Sequence, residues 1–239
     1  MRLLHLKEIK AKMMKEKQEK NAVNKSLDKV PIVAVAGNPN VGKSTVFNSL
    51  TGLRQHTGNW PGKTVENAQG EYFYNGQWFK LIDIPGTYSL MANSVEEEIA
   101  RDFICFGDAD AIIVVLDATA LERNLNLALQ ILEITTDVVI CVNLMDEAKK
   151  KGIHIDLDEL SLQLGVPVVG TNARKGKGLN ELMEKVQKIC KKERKTFKIE
   201  IDYGDIIEEP VNKIKNLISY TTKKFIDERW LSLRMLDQE

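Results

Sequence analysis

The sequence predicts an α/β fold: a mostly parallel sheet of six strands with one antiparallel edge strand, helices on both faces and a small C-terminal helical subdomain. Three observations support this prediction. Short apolar, β-branched runs alternate with helical stretches, two strand-like runs meet at Asn75-Gly76, and the periodicity beyond Ile201 is helical. Parallel strands joined by crossover helices account for the alternation.

The composition indicates a globular chain that can bury a core. The chain has 239 residues, of which 43% are hydrophobic and 28% charged. Its 34 basic and 34 acidic residues cancel, so no global charge favours nucleic acid. The cysteines Cys105, Cys141 and Cys190 are too widely spaced for a disulfide framework or a metal motif. No run approaches the roughly 18 apolar residues of a membrane helix.

The chain divides into three parts. Residues 1–28 carry eight basic and four acidic side chains, a net charge of +4, and apolar residues at helical spacing. They predict an amphipathic helix that is either solvated or in contact with a membrane surface or a partner. Residues 29–195 are expected to form the main α/β domain, and residues 196–239 the helical subdomain.

The main domain is predicted to alternate strands and helices in chain order. Asn75-Gly76 is typical of a tight hairpin, which places one antiparallel strand at the sheet edge. The predicted strands span 31–36, 65–74, 77–84, 111–116, 138–143 and 166–169. The predicted helices span 43–52, 95–106, 120–135, 156–164 and 178–193.

A glycine-rich loop between the first strand and the first helix fits the pattern GxxxxGK[ST]. Its glycines let backbone amides turn toward phosphate oxygens, and the helix start adds positive potential. Lys43 is expected to reach the β- and γ-phosphates, and the Ser44 hydroxyl to reach Mg²⁺. The loop predicts a nucleoside triphosphate without specifying the base. The expected phosphate-binding residues are Gly37, Asn38, Pro39, Asn40, Val41, Gly42, Lys43, Ser44 and Thr45.

A second motif, beginning at Asp83, follows a strand-like run and fits DxxG. The aspartate is expected to hold Mg²⁺ through water, and the Gly86 amide to sense a γ-phosphate. In the preceding loop, residues 53–65, Thr64 is the candidate for a further Mg²⁺ ligand, with Thr57 as its competitor. Ser44, Thr64 and Asp83 form the predicted metal set.

A third motif predicts the base. Asn143 and Asp146 follow a buried strand, and a carboxylate there can accept bonds from N1–H and the 2-amino group of guanine, donors that adenine lacks. Thr171, Asn172 and Ala173 follow the next strand and are placed to offer backbone amides to the base carbonyl. Together the motifs predict a P-loop G domain that binds GTP and GDP.

Several segments resemble the ferrous iron transport protein B family more specifically than the phosphate loop does. They are the loop Gly37-Asn-Pro-Asn-Val-Gly-Lys-Ser-Thr45, the switch Thr57-Gly-Asn-Trp-Pro-Gly-Lys-Thr-Val-Glu66, the segment Asp83-Ile-Pro-Gly-Thr-Tyr-Ser-Leu90 and the run Ser94-Val-Glu-Glu-Glu98. The tail Arg229-Trp-Leu231…Leu236 is also similar to the end of that family's cytosolic region. The resemblance covers about residues 30–237.

The resemblance implies a cytosolic G domain whose helical domain modulates GDP release and relays the nucleotide state to a membrane permease for Fe²⁺. The chain is then expected to be the soluble part, on the cytoplasmic face of the cell membrane. A homo-oligomer and small Feo accessory proteins are implied as partners. The family tolerates Leu144 where most G domains have lysine, so guanine specificity should persist with an affinity on the order of micromolar.

Hydrolysis is expected to be slow. Thr87 stands where Ras-type enzymes place a water-orienting glutamine, and residues 83–94 contain no glutamine. Arg54 is the nearest candidate for a catalytic arginine. In some similar G proteins a bound K⁺ serves instead; the asparagine that holds it there matches Asn40, with Asn38 as a weaker rival and carbonyls of residues 58–60 completing the shell. Lys43, Asn40, Thr64 and Gly86 are the predicted catalytic residues.

Two other functional classes compete with this interpretation. A ribosome- or RNA-associated GTPase has a similar G domain, but the charge balance of residues 196–239 disfavours RNA. A P-loop kinase would use ATP, which Asn143 and Asp146 disfavour, and no acceptor pocket is evident in the sequence.

Overall fold

The computed structural model describes residues 30–52, 55–60, 63–91, 94–193, 197–198, 200–218 and 227–237. The helix predicted within residues 1–28 and the arginine candidate Arg54 lie outside them. The α/β class is confirmed, with one mixed sheet between two helical layers.

The sheet has seven strands in the order β2-β3-β4-β1-β5-β6-β7. β1 pairs in parallel with β4 and β5, and β6 in parallel with β5 and β7. β3 runs antiparallel to both β2 and β4. The strands are β1 (Ile32–Gly37), β2 (Gln55–Asn59), β3 (Glu66–Tyr74), β4 (Gln77–Asp83), β5 (Ala111–Asp117), β6 (Val138–Asn143) and β7 (Val168–Gly170).

The strand count and the edge differ from the prediction. β2 is a seventh strand inside the predicted loop 53–65, so the reversed strand β3 lies second from the edge. β2 is polar and forms by backbone pairing with β3, from Gln55 opposite Gly70 to Asn59 opposite Glu66. Residues 55–59 show no alternation of apolar and polar side chains, so the sequence does not predict this strand. The predicted hairpin is confirmed: Asn75 and Gly76 have φ of 44° and 82°, as a type I′ turn requires.

The helices agree with the predicted ones within a few residues, apart from one short addition. Six residues directly after β6 form a helix too short to show amphipathic periodicity. The helices are α1 (Lys43–Thr51), α2 (Val95–Phe106), α3 (Leu121–Ile134), α4 (Met145–Lys150), α5 (Leu157–Leu164), α6 (Leu179–Cys190), α7 (Asp205–Ile218) and α8 (Glu228–Leu236).

The core lies on both faces of the sheet because β1, β5 and β6 are buried along their whole lengths or nearly so. Along β1, Val33 and Val35 join the cluster that contains α1 and α6 residues, whereas Ala34 and Ala36 join the cluster that contains α2 and α3 residues. Because β4, β1, β5 and β6 run parallel, their carboxyl ends lie at one edge of the sheet, where the sequence motifs follow.

The C-terminal helices form a small unit tied to α3. The Arg229 guanidinium in α8 donates to both carboxylate oxygens of Glu208 in α7, at 2.6 and 2.7 Å, and lowers the pKa of Glu208 to about 2. The Tyr203 hydroxyl, in the segment before α7, donates to the buried carboxylate of Glu133 at the end of α3. Within the described residues, no helix is long and apolar enough to cross a membrane.

Candidate functional site

The glycine-rich loop lies between β1 and α1, and its curvature is fixed by neighbouring strands. Gly42 has φ of 84°, and a Cβ there would lie 2.4 Å from Nδ2 of Asn143 at the end of β6. A Cβ on Gly37 would lie 2.6 Å from the carbonyl oxygen of Val115 in β5. Both positions therefore exclude any side chain unless the neighbouring groups move.

The loop borders a cavity of about 450 Å³, which the DxxG segment helps to close. A Cβ on Gly86 would lie 3.4 Å from the Cα of Pro39, and the Thr87 amide donates to the Gly37 carbonyl at 3.3 Å. The phosphate loop and the second motif are therefore adjacent. The cavity is lined by Asn38, Pro39, Asn40, Gly42, Lys43, Ser44, Thr45 and Gly86.

Lys43 lines this cavity, and its ammonium donates to the Asp83 carboxylate at the end of β4. Burial raises the pKa of Asp83 above its ordinary value, while the charge of Lys43 acts in the opposite direction. Ser44, the next residue along α1, is exposed. The Ser44 hydroxyl and the Asp83 carboxylate are hard oxygen donors of the kind that Mg²⁺ prefers, so the donor set fits that ion.

The two loop asparagines have different surroundings. Asn40 is exposed and has φ of 67°, in the left-handed region that asparagine tolerates. Asn38 is 1% exposed, and neither its amide nitrogen nor its amide oxygen has a hydrogen-bond partner among the described residues. Of the two, Asn40 has the accessibility that a ligand to a dissolved cation needs.

Thr87, at the position where Ras-type enzymes carry glutamine, is turned into the protein. It is 5% exposed, and its hydroxyl lies 2.6 Å from the Ser89 carbonyl and 3.2 Å from a carboxylate oxygen of Glu97 in α2. The hydroxyl has a single proton, and the shorter contact indicates that it goes to Ser89. Thr87 is thus occupied within its own loop.

Asn143 connects three predicted segments through one buried carboxamide. Its Nδ2 donates to the Val41 carbonyl in the phosphate loop at 3.2 Å. Its Oδ1 accepts from the Thr171 hydroxyl and from the Ala173 amide, each at 3.1 Å. The phosphate loop and both base motifs are therefore held together by a single side chain.

The remaining base residues cluster beside Asn143. The Ala173 carbonyl accepts from the Ser49 hydroxyl of α1 at 3.0 Å, so this turn is fixed from two sides. Lys175 Nζ lies 3.1 Å from Oδ2 of Asp146, and together with the Asn172 side chain it lowers the pKa of Asp146 below its ordinary range. Leu144, which lies immediately before α4, has φ of 63°.

The predicted switch loop forms a hairpin of β2 and β3 whose tip contacts α2. The ring centroids of Trp60 and Phe103 are 5.4 Å apart in an edge-to-face arrangement. Lys63 Nζ lies 2.8 Å from a carboxylate oxygen of Glu98. Thr64 is exposed, and Thr57 pairs with Ala68 within the hairpin.

The structure brings most predicted site residues together but leaves the switch loop apart. Neither Thr64 nor residues 57–60 border the phosphate-loop cavity. β2 lies three strands from β1, a separation of about 14 Å at the usual strand spacing. The expected Mg²⁺ ligand Thr64 and the expected carbonyls near Asn40 are thus not assembled.

Sequence reasoning missed two kinds of contact. Lys175 is separated from Asp146 by 29 positions, and the lysine-rich sequence around it gives no local signal. Glu97 and Glu98 have no sequence signal beyond their place in the segment 94–98, yet they contact Thr87 and Lys63 respectively. Both contacts depend on tertiary placement, which only the fold supplies.

A mostly parallel sheet with a phosphate loop after β1 and a base motif after β6 defines a P-loop nucleotide-binding protein of the G-domain class. The family model for ferrous iron transport protein B matches residues 31–186. The chain belongs to that family.

Individual relatives agree with this assignment. The Fe(2+) transporter FeoB of Escherichia coli (strain K12) is 39% identical over 210 residues, which make up 86% of this chain and 26% of that protein. The chain therefore spans about a quarter of such relatives. These matches do not favour the ribosome-associated alternative.

Solved structures of the T. maritima FeoB iron transporter are also similar. Its cytosolic domain in a GDP form has a TM-score of 0.82 and 43% identity, covering 87% of this chain and 80% of that one. The GMPPNP form has a TM-score of 0.82 and 42% identity, covering 88% and 82%. Its G domain alone has a TM-score of 0.64 and 48% identity, covering 67% and 99%.

Proposed function

We propose that this chain is a guanine-nucleotide switch that binds GTP and GDP and hydrolyses GTP. The observation that carries the proposal is Asn143, whose carboxamide joins the phosphate loop at Val41 to the base segment at Thr171 and Ala173. The similar T. maritima structures in GDP and GMPPNP forms support the same ligand class.

The phosphate end is assigned to residues around the 450 Å³ cavity. When the nucleotide binds, the Lys43 ammonium leaves the Asp83 carboxylate and contacts the β- and γ-phosphates, because a phosphate is the stronger anionic partner. Asp83 and Ser44 are then available to Mg²⁺, which supplies charge neutralisation during phosphoryl transfer. Thr64 would supply a further hydroxyl ligand to Mg²⁺ once the hairpin tip moves away from α2. The Gly86 amide would donate a hydrogen bond to the γ-phosphate.

Turnover is proposed to be slow and stimulated by K⁺. The Thr87 hydroxyl is held by its own loop, so it does not replace the missing glutamine. The exposed Asn40 carboxamide offers a hard oxygen to K⁺, and carbonyls of residues 58–60 complete the shell once the hairpin moves. Without such a cation, Lys43 and Mg²⁺ alone oppose the charge that develops in the transition state.

Regulation of Fe²⁺ uptake is the proposed role of the whole protein. The relatives are Fe(2+) transporters of which this chain covers a quarter, so the partner is a membrane permease part in the same polypeptide. The domain would act at the cytoplasmic face of the cell membrane. A homo-oligomer and small Feo accessory proteins are further partners that the family membership suggests. Among the described residues, no cluster of three or more His, Cys, Asp or Glu could hold a metal ion.

The test is nucleotide binding and turnover by this chain. Fluorescent GDP should bind with Mg²⁺ and be displaced by GTP but not by ATP, and Asp146→Asn should abolish guanine selectivity. GTP turnover is then compared in KCl and NaCl at equal ionic strength, with Asn40→Ala as the variant. Faster turnover in KCl that Asn40→Ala removes supports the K⁺ site. Equal slow rates in both salts overturn that site, and absence of GDP binding overturns the proposed function.

A further inference from the structure

The base-reading carboxylate has an ion partner that no sequence motif predicts. Lys175 lies in the short 3-10 turn Ala173–Lys175, and its Nζ is 3.1 Å from Oδ2 of Asp146. The carboxylate side chain is 30% exposed, so its position is only partly set by packing. The contact links the turn after β7 to the start of α4.

Asn172 supports the same carboxylate from the same turn. Its side chain contributes to the lowered pKa of Asp146, and its Oδ1 accepts from the Lys175 amide at 3.3 Å. Asn172 is 8% exposed, and its backbone pairs with Lys177 in both directions at 3.1 Å. The turn that holds Lys175 is therefore itself fixed.

We infer that Lys175 is a positioning residue for guanine recognition: it orients the Asp146 carboxylate toward the base. This inference rests on the proposed function and names a residue that sets the strength of its base recognition. The position that carries lysine in most G domains holds Leu144 here, so the cation at this end of the site comes from a different segment.

The hydrogen-bond capacity of a carboxylate allows this arrangement. An ionised carboxylate offers about four acceptor positions on its two oxygens. Guanine N1–H and the 2-amino group take two, which leaves a position for Lys175. Lys175 thus does not compete with the base. Lys175 restricts the orientations of the Asp146 carboxylate before the base binds. Less conformational freedom is then lost on binding, which is the usual gain from preorganisation.

Other charges near Asp146 are already balanced. Glu147 and Lys150 on α4 pair with each other at 2.8 Å. Lys150 also feels the charge of Asp146, but in the described part of the chain Lys175 is the cation in direct contact with that carboxylate. Since the pair is solvent-exposed, its effect on affinity is modest, about twofold to fivefold.

The experiment compares methionine substitutions at two lysines of one loop. Lys175→Met removes the charge and keeps the chain length, and Lys177→Met does the same two residues away, where the side chain is exposed and has no described partner. With fluorescent GDP as the probe, Lys175→Met should raise the Kd about twofold to fivefold. Lys175→Arg should stay within twofold of wild type, and Lys177→Met should match wild type.

A double-mutant cycle separates action through Asp146 from direct contact with the nucleotide. Asp146→Asn presents a carboxamide, which suits xanthine because xanthine carries an oxygen in place of the 2-amino group. With xanthosine diphosphate as the probe, Lys175→Met should have no effect in the Asp146→Asn background. An equal loss there would show that Lys175 contacts the nucleotide itself and would overturn the inference.

The outcomes also separate this inference from the proposed function. If wild type binds GDP and Lys175→Met binds it equally well, the switch stands and the role of Lys175 is wrong. If wild type does not bind GDP, the proposed function fails first. A loss in Lys177→Met equal to that in Lys175→Met would indicate a general charge effect and would also overturn the inference.

Discussion

Gly42 and Asn143 occupy complementary space, and this pair explains why the phosphate loop and the base motif cannot vary independently. The Asn143 amide nitrogen fills the position where a Cβ on residue 42 would lie, at 2.4 Å. The same nitrogen donates to the Val41 carbonyl, so it fixes the loop as well as filling the space. Two motifs that are about 100 positions apart in the sequence are one structural unit.

Gly42→Ala should destabilise the fold and abolish nucleotide binding, with Gly76→Ala as its matched control. Gly76, in the type I′ turn between β3 and β4, has φ of 82°, close to that of Gly42, but nothing lies within 4 Å of its Cβ position. Gly76→Ala should therefore cost only the backbone strain, about 1 kcal/mol in the free energy of unfolding. Gly42→Ala adds displacement of Asn143 and should cost about 3 kcal/mol.

Urea unfolding and titration with fluorescent GDP measure both effects. Gly76→Ala should bind GDP as wild type does. Equal losses in the free energy of unfolding in the two variants would mean that backbone strain alone destabilises them. The contact with Asn143 would then make no contribution.

At the scale of elements, α2 contacts both segments that a nucleotide switch must move. A carboxylate oxygen of Glu97 lies 3.2 Å from the Thr87 hydroxyl after the DxxG motif, and Glu98 pairs with Lys63 at the tip of the β2–β3 hairpin. The Trp60 ring packs on Phe103 further along the same helix. The charge of Lys63 lowers the pKa of Glu98, which agrees with an ion pair in water.

Reversing the charges of the Lys63–Glu98 pair should change the fraction of molecules in which the hairpin tip contacts α2. Lys63→Glu and Glu98→Lys each create a like-charge pair and should shift the tip away from α2. The double variant restores an opposite pair and should restore the contact. An ion pair that is 35% and 40% exposed changes the populations by no more than about fivefold.

The ¹⁹F resonance of 5-fluorotryptophan at Trp60, assigned with Trp60→Phe, reports this contact directly. It should move in the same direction in both single variants and return in the double variant. Glu184→Lys, which breaks a comparable pair on α6, serves as the control. A double variant that shows the sum of the two single shifts would contradict the pairing.

The same elements show what the sequence could predict. Buried strands such as β5 and β6 are continuous apolar runs, and the Asn75-Gly76 turn has one favourable geometry, so both were predictable. β2 was not, because its stability comes from backbone pairing with β3 and its side chains are polar. α4 was too short for a periodic pattern.

At the scale of the whole molecule, the site belongs to the sheet and the helical subdomain touches it only indirectly. Motif spacing predicts the phosphate and base residues because each motif follows a strand, and parallel strands end at one edge of the sheet. Tertiary contacts such as Lys175 to Asp146, or Tyr203 to Glu133, join segments far apart in sequence and had no local signal. The boundary at residue 195 stays a prediction.

Residues 29–195 alone should fold and bind GDP, because every phosphate- and base-contacting residue proposed here lies within them. Removing residues 196–239 uncovers α3, where Glu133 then becomes solvated and needs no partner. The urea midpoint should fall, and the urea dependence should lessen with the smaller buried area. Since the family's helical domain is expected to modulate GDP release, release of fluorescent GDP should be faster from the shorter chain.

Tyr203→Phe in the full chain tests the Tyr203–Glu133 contact alone, without removing the rest of the subdomain. It removes only the hydroxyl that Glu133 accepts, at a cost of about 1–3 kcal/mol because the buried carboxylate loses a donor. If this contact transmits the effect, Tyr203→Phe should speed GDP release in the same direction as truncation, whereas Tyr72→Phe on β3 should not. A shorter chain that folds but does not bind GDP would place part of the nucleotide site in the subdomain, contrary to the geometry of the sheet edge.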